Sequence, residues 1–348
     1  MITFVATATH QYAIRDVLET RTHPLHSRIV ILSYNEFVAS RRLPQSTYVF
    51  TDLERLSVAD RKLVDARIEA FGQACPDCRM LNLPMRIGTR LDIMRRLHES
   101  GINKFRMLPI TTDPETFRYP VFLRCDDDHE GPKSDLLHSS KELRDAIAAL
   151  PRDDRQNSRF VVTEYVDARN ANGFHEKRSY TRVGSRLFPS ALDQSKAWVC
   201  KGEYTDPATV PIPDRELAFL KSDMDEAALR AAFSAAGIEY GRADYALVDG
   251  RPQIFEINTN PWIEPPEQVP GEARAGAEHI VSAWLEAVSE LADEASGTSN
   301  AWREIPCAAG RLPRGLSRRS AAHAVLRGLR QLHNETRAFR WLRRLRLM

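Results

Sequence analysis

Four side chains in the stretch GRADYALVDGRPQIFEINTNP (241–261) are of types that carry out phosphate chemistry: Arg242, Asp244, Glu256 and Asn258. Arg and Asp stand two apart on one apolar-rich run and Glu and Asn two apart on the next, with the turn pair Asp249-Gly250 between them. Strand side chains alternate with period two, so each pair shares a face of its own strand. A polar stripe on a hairpin is most often a solvated face. Here the neighbouring Tyr245, Leu247, Ile254, Phe255 and Ile257 are apolar, so the hairpin is substantially buried. A buried carboxylate is costly unless it is paired or binds a cation.

Register then sets a condition. With a plain two-residue turn at Asp249-Gly250, Asp244 faces Phe255 and Glu256 points to the other side of the sheet. All four side chains meet only if the loop holds an odd number of residues or a bulge interrupts the ladder. Gathered in that way, two carboxylates and an amide oxygen make a hard oxygen site for Mg²⁺, or for Mn²⁺ in its place. Arg242 beside them would stabilise anionic charge.

The elements that must position this hairpin are readable in outline. Residues 1–80 alternate strand and helix signals: TFVATA, then AIRDVLET; RIVILSY; TYVFTD; a helix over ADRKLVDARIEAFGQA; then RMLNLP. That alternation predicts a small parallel α/β domain. GTRLDIMRRLHESG is an amphipathic helix with a Gly stop, followed by a linker rich in Thr, Asp and Pro at 109–120. Next come a strand VFLR, a polar loop CDDDHEGPKSD, and a helix SSKELRDAIAAL with a Ser cap and a capping-box Glu. RFVVTEYV (159–166) is a strong strand, HEKRSYTRVGSRLFP reads as strand–turn–strand around Gly184, and DEAALRAAFSAAG as a helix before the hairpin. A last helix, EARAGAEHIVSAWLEAVSELADEA, ends at a Gly/Ser/Thr break at 297–299.

Composition bounds the class. The 348 residues are 43% hydrophobic and 28% charged with formal net charge +2, as in an ordinary soluble globular protein. No run of 18 apolar residues is present and the N-terminus does not read as a signal peptide. Five cysteines fit a reducing, cytoplasmic setting, and the lone pair Cys75/Cys78 lacks the second pair a zinc site needs. The charge is uneven. Residues 301–348 hold 12 Arg, 2 Glu and no Lys, a net +10 that leaves −8 on the rest. Interleaved with Leu326, Leu329, Leu332, Phe339, Trp341, Leu342 and Leu345, those arginines read as a basic amphipathic helix. Packing on the acidic body is its favoured use, lying on an anionic membrane surface the alternative; a nucleic-acid partner is less favoured.

In order and spacing, these pieces resemble the ATP-grasp superfamily of carboxylate–amine ligases, which includes D-alanine–D-alanine ligase and glutathione synthetase. The resemblance runs from about residue 80 to 262, and the α/β segment before it looks like the domain that precedes the ATP-grasp unit. It implies four parts: a pre-ATP-grasp domain at 1–84, a linker helix and first subdomain at 85–166, a second subdomain at 167–296, and the basic helical tail at 297–348. The two subdomains would sandwich ATP. Carried over by motif, Asp244, Glu256 and Asn258 would hold the magnesium that bridges the phosphates, and Arg242 would steady the γ-phosphate and the tetrahedral intermediate. VVTEYV resembles the hinge where backbone groups around Glu164, Tyr165 and Val166 hold adenine. HEKRSY resembles the acidic-x-Arg element, with Glu176 near the ribose and Arg178 facing phosphate or substrate.

Two departures stand out. Where the family has a Lys on the strand entering the nucleotide site, this chain has Arg124, with Arg90 or Arg86 at the earlier basic position; an Arg keeps the charge and can fork onto phosphate. The loop after Arg124 has one glycine, Gly131, and three successive Asp, leaving His129 and Lys133 as its phosphate contacts. Lys201, Asn260 and Trp262 stand beside matched motifs as substrate-side candidates. The resemblance implies an ATP- and Mg²⁺-dependent ligase that activates a carboxylate as an acylphosphate for attack by an amine or similar nucleophile. The alternative is a regulatory ATP-binding protein without turnover. A metal-dependent nuclease fits poorly, because Asn258 stands where that site wants a Lys.

Overall fold

The computed structural model describes residues 1–20, 22–127, 131–151, 160–200, 213–269, 271–294 and 301–305. His129, Lys201 and the tail helix read over 316–348 lie outside them.

Five strands open the chain: β1 (Ile2–Ala6), β2 (Ile29–Ser33), β3 (Arg42–Pro44), β4 (Thr47–Phe50) and β5 (Met80–Leu81). Four of them form a parallel sheet in the order β2-β1-β4-β5. All residues of β1 and β4 are buried, which is why they read as apolar runs rather than as alternation. The helices of this part are α1 (Tyr12–Glu19), α2 (Tyr34–Ala39), α3 (Val58–Ala74), α4 (Pro84–Ile87) and α5 (Arg90–Glu99). Reciprocal capping boxes start α2, α3 and α5 at Ser33/Glu36, Ser57/Asp60 and Thr89/Asp92. Cys75 and Cys78 are buried after α3, and burial pushes the Cys78 thiol up to about 11, which suits a packing role.

A second, antiparallel sheet has the order β6-β8-β7, built from β6 (Met107–Pro109), β7 (Val121–Cys125) and β8 (Phe160–Glu164) and flanked by α6 (Ser140–Ala149). The third sheet, also antiparallel, has the order β10-β9-β11-β12, from β9 (His175–Val183), β10 (Arg186–Ser195), β11 (Tyr240–Val248) and β12 (Arg251–Asn258). Three helices accompany it: α7 (Pro213–Leu220), α8 (Glu226–Ala236) and α9 (Arg274–Glu294). No helix among the described residues is long and apolar enough to cross a membrane.

The first and third sheets share a core through α9. Trp284 on α9 stacks on Phe4 of β1, with ring centroids 6.2 Å apart, and donates its indole N–H to the Tyr240 hydroxyl of β11 at 3.2 Å. Two asparagines then bracket the hairpin that carries the candidate residues. Asn82 donates to Tyr240 O at 2.6 Å and accepts from Glu239 N at 2.9 Å. Asn103 donates to Ile254 O and accepts from Ile254 N, satisfying the open edge of β12 as a neighbouring strand would. The chain turns back past the boundary placed at 297: β13 (Trp302–Glu304) pairs with β3, so residues 302–304 pack with the N-terminal domain.

Candidate functional site

The hairpin turn at Asp249-Gly250 has two residues, both with positive φ (52° and 72°), the geometry that joins tightly twisted strands. The parity it would impose is broken further along. Tyr245 faces Ile254 but Asp244 faces Glu256, so Phe255 is an extra residue without an opposite number. Beyond this bulge Arg242 stands opposite Asn258. All four side chains therefore project from one face.

On the other side of β11, Asp244 is opposite Ser179 and Arg242 opposite Thr181, which brings Lys177 to the same face two residues earlier on β9. Ser179 Oγ donates to Asp244 Oδ1 at 2.9 Å, and Arg242 Nε donates to the same oxygen at 3.0 Å. Asp244 Oδ2 makes a longer, 3.5 Å contact with Arg242 Nη2. The Asp244 charge raises Arg242 further above its already high pKa, overcoming the opposing effect of burial. Lys177 pairs with Asp193 on β10 at 3.1 Å. Burial pulls its ammonium down, but Asp244 and Asp193 together outweigh that and raise it, so Lys177 is a cation in the site.

This face lines a cleft of about 530 Å³ whose other wall is the β6-β8-β7 sheet. One part of its lining is charged: Arg124, Arg242, Asp244, Glu256 and Lys177. Another is aromatic, with the Trp198 ring 5.0 Å from Phe122 and 6.0 Å from Tyr165. Arg124 Nη2 donates to Glu256 Oε2 at 2.8 Å across the cleft, and Arg90 Nη2 approaches the same oxygen at 3.4 Å. Arg90 also donates to Cys125 O at 2.8 Å, fastening the start of α5 to the end of β7.

Glu164, Tyr165 and Val166 all line the cleft, but the Glu164 carboxylate is committed elsewhere. It is 2% exposed and takes hydrogen bonds from the side chains and backbone amides of both Arg106 and Arg118. Burial alone would raise this carboxyl; the two arginines prevail and hold it at about 2. Glu164 N and Tyr165 N donate to Arg106 O and Pro120 O, whereas Val166 N has no partner among the described residues.

The acidic-x-Arg element sits differently from the expectation. Arg178 lies on the opposite face of β9, ion-paired with Glu176 at 2.8 Å and Asp225 at 2.9 Å and stacked over Phe219. Strand parity forces this, because Ser179 and Lys177 take the cleft face. Glu176 reaches the cleft rim but is bound by Arg178 and Arg215. In the loop after Arg124, Asp126 turns away from the cleft to accept Leu91 N at 2.8 Å at the start of α5, and burial raises its pKa. Gly131 and Pro132 line the cleft; Lys133, whose N donates to Leu123 O, is not among its wall residues. Asn260 is buried against the N-terminal domain, donating to His10 O at 3.0 Å, and the Trp262 indole donates to Asp16 at 3.1 Å. Sequence reasoning missed Lys177 and Trp198. Period two on β9 was the signal for the first, once its register with β11 is known; nothing local marks the second.

The donor set suits Mg²⁺. Mg²⁺ commonly takes one or two protein carboxylates and fills its octahedron with phosphate oxygens and water. Asp244, Glu256 and Asn258 supply two carboxylates and an amide beside cations able to hold the phosphates. Among the described residues no group of three His, Cys, Asp or Glu converges on a closed, all-protein metal site.

The chain is similar to solved structures. D-alanine–D-alanine ligase from Bacillus anthracis complexed with ATP matches with a TM-score of 0.50 at 14% identity, over 84% of this chain and 98% of that one. The D-cycloserine synthetase DcsG matches with a TM-score of 0.46 at 14% identity, over 82% and 100% of the two chains. A RimK domain ATP-grasp protein from Sphaerobacter thermophilus gives 0.46 at 13%, over 83% and 98%. No family model and no curated protein sequence matches the chain. The chain has an ATP-grasp fold: a parallel α/β domain followed by two antiparallel sheets that face each other across a cleft.

Proposed function

We propose that this protein is an ATP-dependent ligase that activates a carboxylate as an acylphosphate for attack by an amine or similar nucleophile. The observation that carries the reading is the bulge at Phe255, which turns Arg242, Asp244, Glu256 and Asn258 onto one wall of the cleft. A bulge interrupts a ladder at a cost, and the four polar side chains are what it brings together. Phe122, Tyr165 and Trp198 would hold the adenine ring, with Val166 N as a donor to it. Lys177, Arg124 and Arg242, which line the charged part of the cleft, would hold the triphosphate. Asp244, Glu256 and Asn258 would hold Mg²⁺, which would supply positive charge to the phosphates. Arg242, fixed by its bond to Asp244, stabilises the charge that develops as the substrate carboxylate attacks the γ-phosphorus. The carboxylate and amine are small molecules or peptides.

The test follows ADP release by the full chain with MgATP and pooled acids and amines. ADP that requires both an acid and a nucleophile supports the ligase. ATP binding without ADP release under any pool supports the second reading, a regulatory nucleotide-binding protein. That reading is favoured by one contact: Glu256 is already neutralised by Arg124 and Arg90.

A further inference from the structure

We infer that the Thr163 hydroxyl selects the base of the nucleotide by accepting a hydrogen bond from the 6-amino group of adenine. This rests on the nucleotide part of the ligase reading. β8 is the central strand of its sheet, and Thr163 pairs with Phe122 of β7 on one side and with Met107 of β6 on the other. Residues opposite each other in a ladder project from the same face, and Thr163 and Phe122 both line the cleft. Tyr165, two residues further along, lines it as well.

Thr163 is 3% exposed, and its hydroxyl has no hydrogen-bond partner among the described residues. A valine would fill the same space without that oxygen, and β8 already holds Val161 and Val162. A buried hydroxyl left unpaired costs stability, so its presence here calls for a partner that arrives from outside. The neighbouring lining offers none. It is aromatic, with Phe105 and Phe255 at 6.4 Å between ring centroids and Phe122 at 5.0 Å from Trp198. The adjacent carboxylate cannot serve a base either, because Arg106 and Arg118 hold the Glu164 side chain.

The polar groups that remain match one purine. Val166 N is a donor, and the Thr163 hydroxyl offers lone pairs as well as a proton. Adenine presents an acceptor at N1 beside a donating 6-amino group. Guanine has a proton on N1 and an acceptor at position 6. A backbone donor at Val166 with an accepting oxygen at Thr163 therefore fits adenine, whereas guanine would set its N1 proton against the Val166 N–H. A site built to pair a polar group of its ligand rejects an analogue that lacks the group, because the buried partner is then left unmet.

Calorimetric binding to the full chain tests this with two probes: MgATP, and the magnesium complex of purine riboside triphosphate, which lacks the 6-amino group. Thr163→Val should lower ATP affinity about 3- to 10-fold and leave that of the analogue unchanged. Thr163→Ser, which keeps the hydroxyl, should retain the preference for ATP over the analogue. Without ligand, Thr163→Val should unfold in denaturant at the wild-type midpoint or above it, since no hydrogen bond is lost. A lower midpoint would show that the hydroxyl already has a partner inside the protein, and overturns the inference. Unchanged ATP affinity in Thr163→Val, equal losses for the two probes, or a Thr163→Ser variant without the preference also overturns it. Each of these leaves the ligase reading to the ADP-release test. Wild-type protein that binds neither probe overturns the nucleotide reading and the inference with it.

Discussion

Arg124 on β7 and Glu256 on β12 meet at 2.8 Å, an ion pair that spans the cleft between two sheets. Arg124 is 8% exposed, so its charge has been taken largely out of water and Glu256 offsets the cost. Glu256→Gln removes that counter-charge and the charge of a proposed metal ligand together. The variant should fold with stability lowered by roughly 1–3 kcal/mol, and metal-dependent ADP release should fall by on the order of 10²–10³-fold. Thermal unfolding and an ADP assay check the two effects; an unchanged release rate would place the metal elsewhere.

Glu164 should give the protein an acid-sensitive joint. Its folded carboxyl sits at about 2, against an ordinary 4.5, because Arg106 and Arg118 hold the charged form. A depressed carboxylate stabilises the fold above its unfolded value and loses that contribution as pH falls from about 4.5 toward 2. The difference corresponds to about 3 kcal/mol at neutral pH. Denaturant unfolding at pH 7 and pH 3 should show a large drop for the wild type. Glu164→Gln should be weaker at pH 7 and show a smaller drop; equal drops in both proteins would refute the assignment.

What the sequence disclosed and withheld divides along strand registers. The four candidate side chains and the need for a bulge follow from counting residues about Asp249-Gly250. That the extra residue is Phe255 is seen only in the register of the ladder, beside Ile254, which Asn103 holds at the strand edge from 151 residues away in sequence. Reading Arg178 as the cleft-facing cation fails for a similar reason. Its motif was visible, but which face of β9 is inward depends on Ser179 pairing with Asp244 of β11. The strand β13 carries no pattern of its own. Three exposed residues pair with β3 because the chain returns there after α9.

At Gly241 two backbones approach closely beside the site. A Cβ there would lie 2.7 Å from Asn258 O, a contact no rotamer change relieves. Gly241→Ala should therefore push β11 from β12 at the residue that carries the candidate amide ligand. Denaturant unfolding should show a loss of about 1–3 kcal/mol, accompanied by weaker MgATP binding. Gly250→Asn is the control, since none of the described residues beyond its chain neighbours lies within 4 Å of its Cβ position and Asn accepts the left-handed turn conformation. Nucleotide binding retained by Gly241→Ala would mean that Asn258 does not contribute.

Lys177 is expected to meet the triphosphate by swinging from Asp193, whereas Arg124 must first leave Glu256. Its ammonium is flanked by Asp193 at 3.1 Å and by the Asp244 charge, so it enters the cleft protonated. Lys177→Met keeps the length of the side chain and removes the charge. A charge-assisted hydrogen bond contributes roughly 1.5–3 kcal/mol, so calorimetric ATP affinity should fall about 10- to 100-fold. Lys177→Arg should recover part of it. The loss should shrink for AMP, which lacks the β- and γ-phosphates, because the adenine contacts proposed at Phe122, Tyr165 and Trp198 are untouched. Equal losses for ATP and AMP would show that Lys177 supports the cleft wall rather than the phosphates.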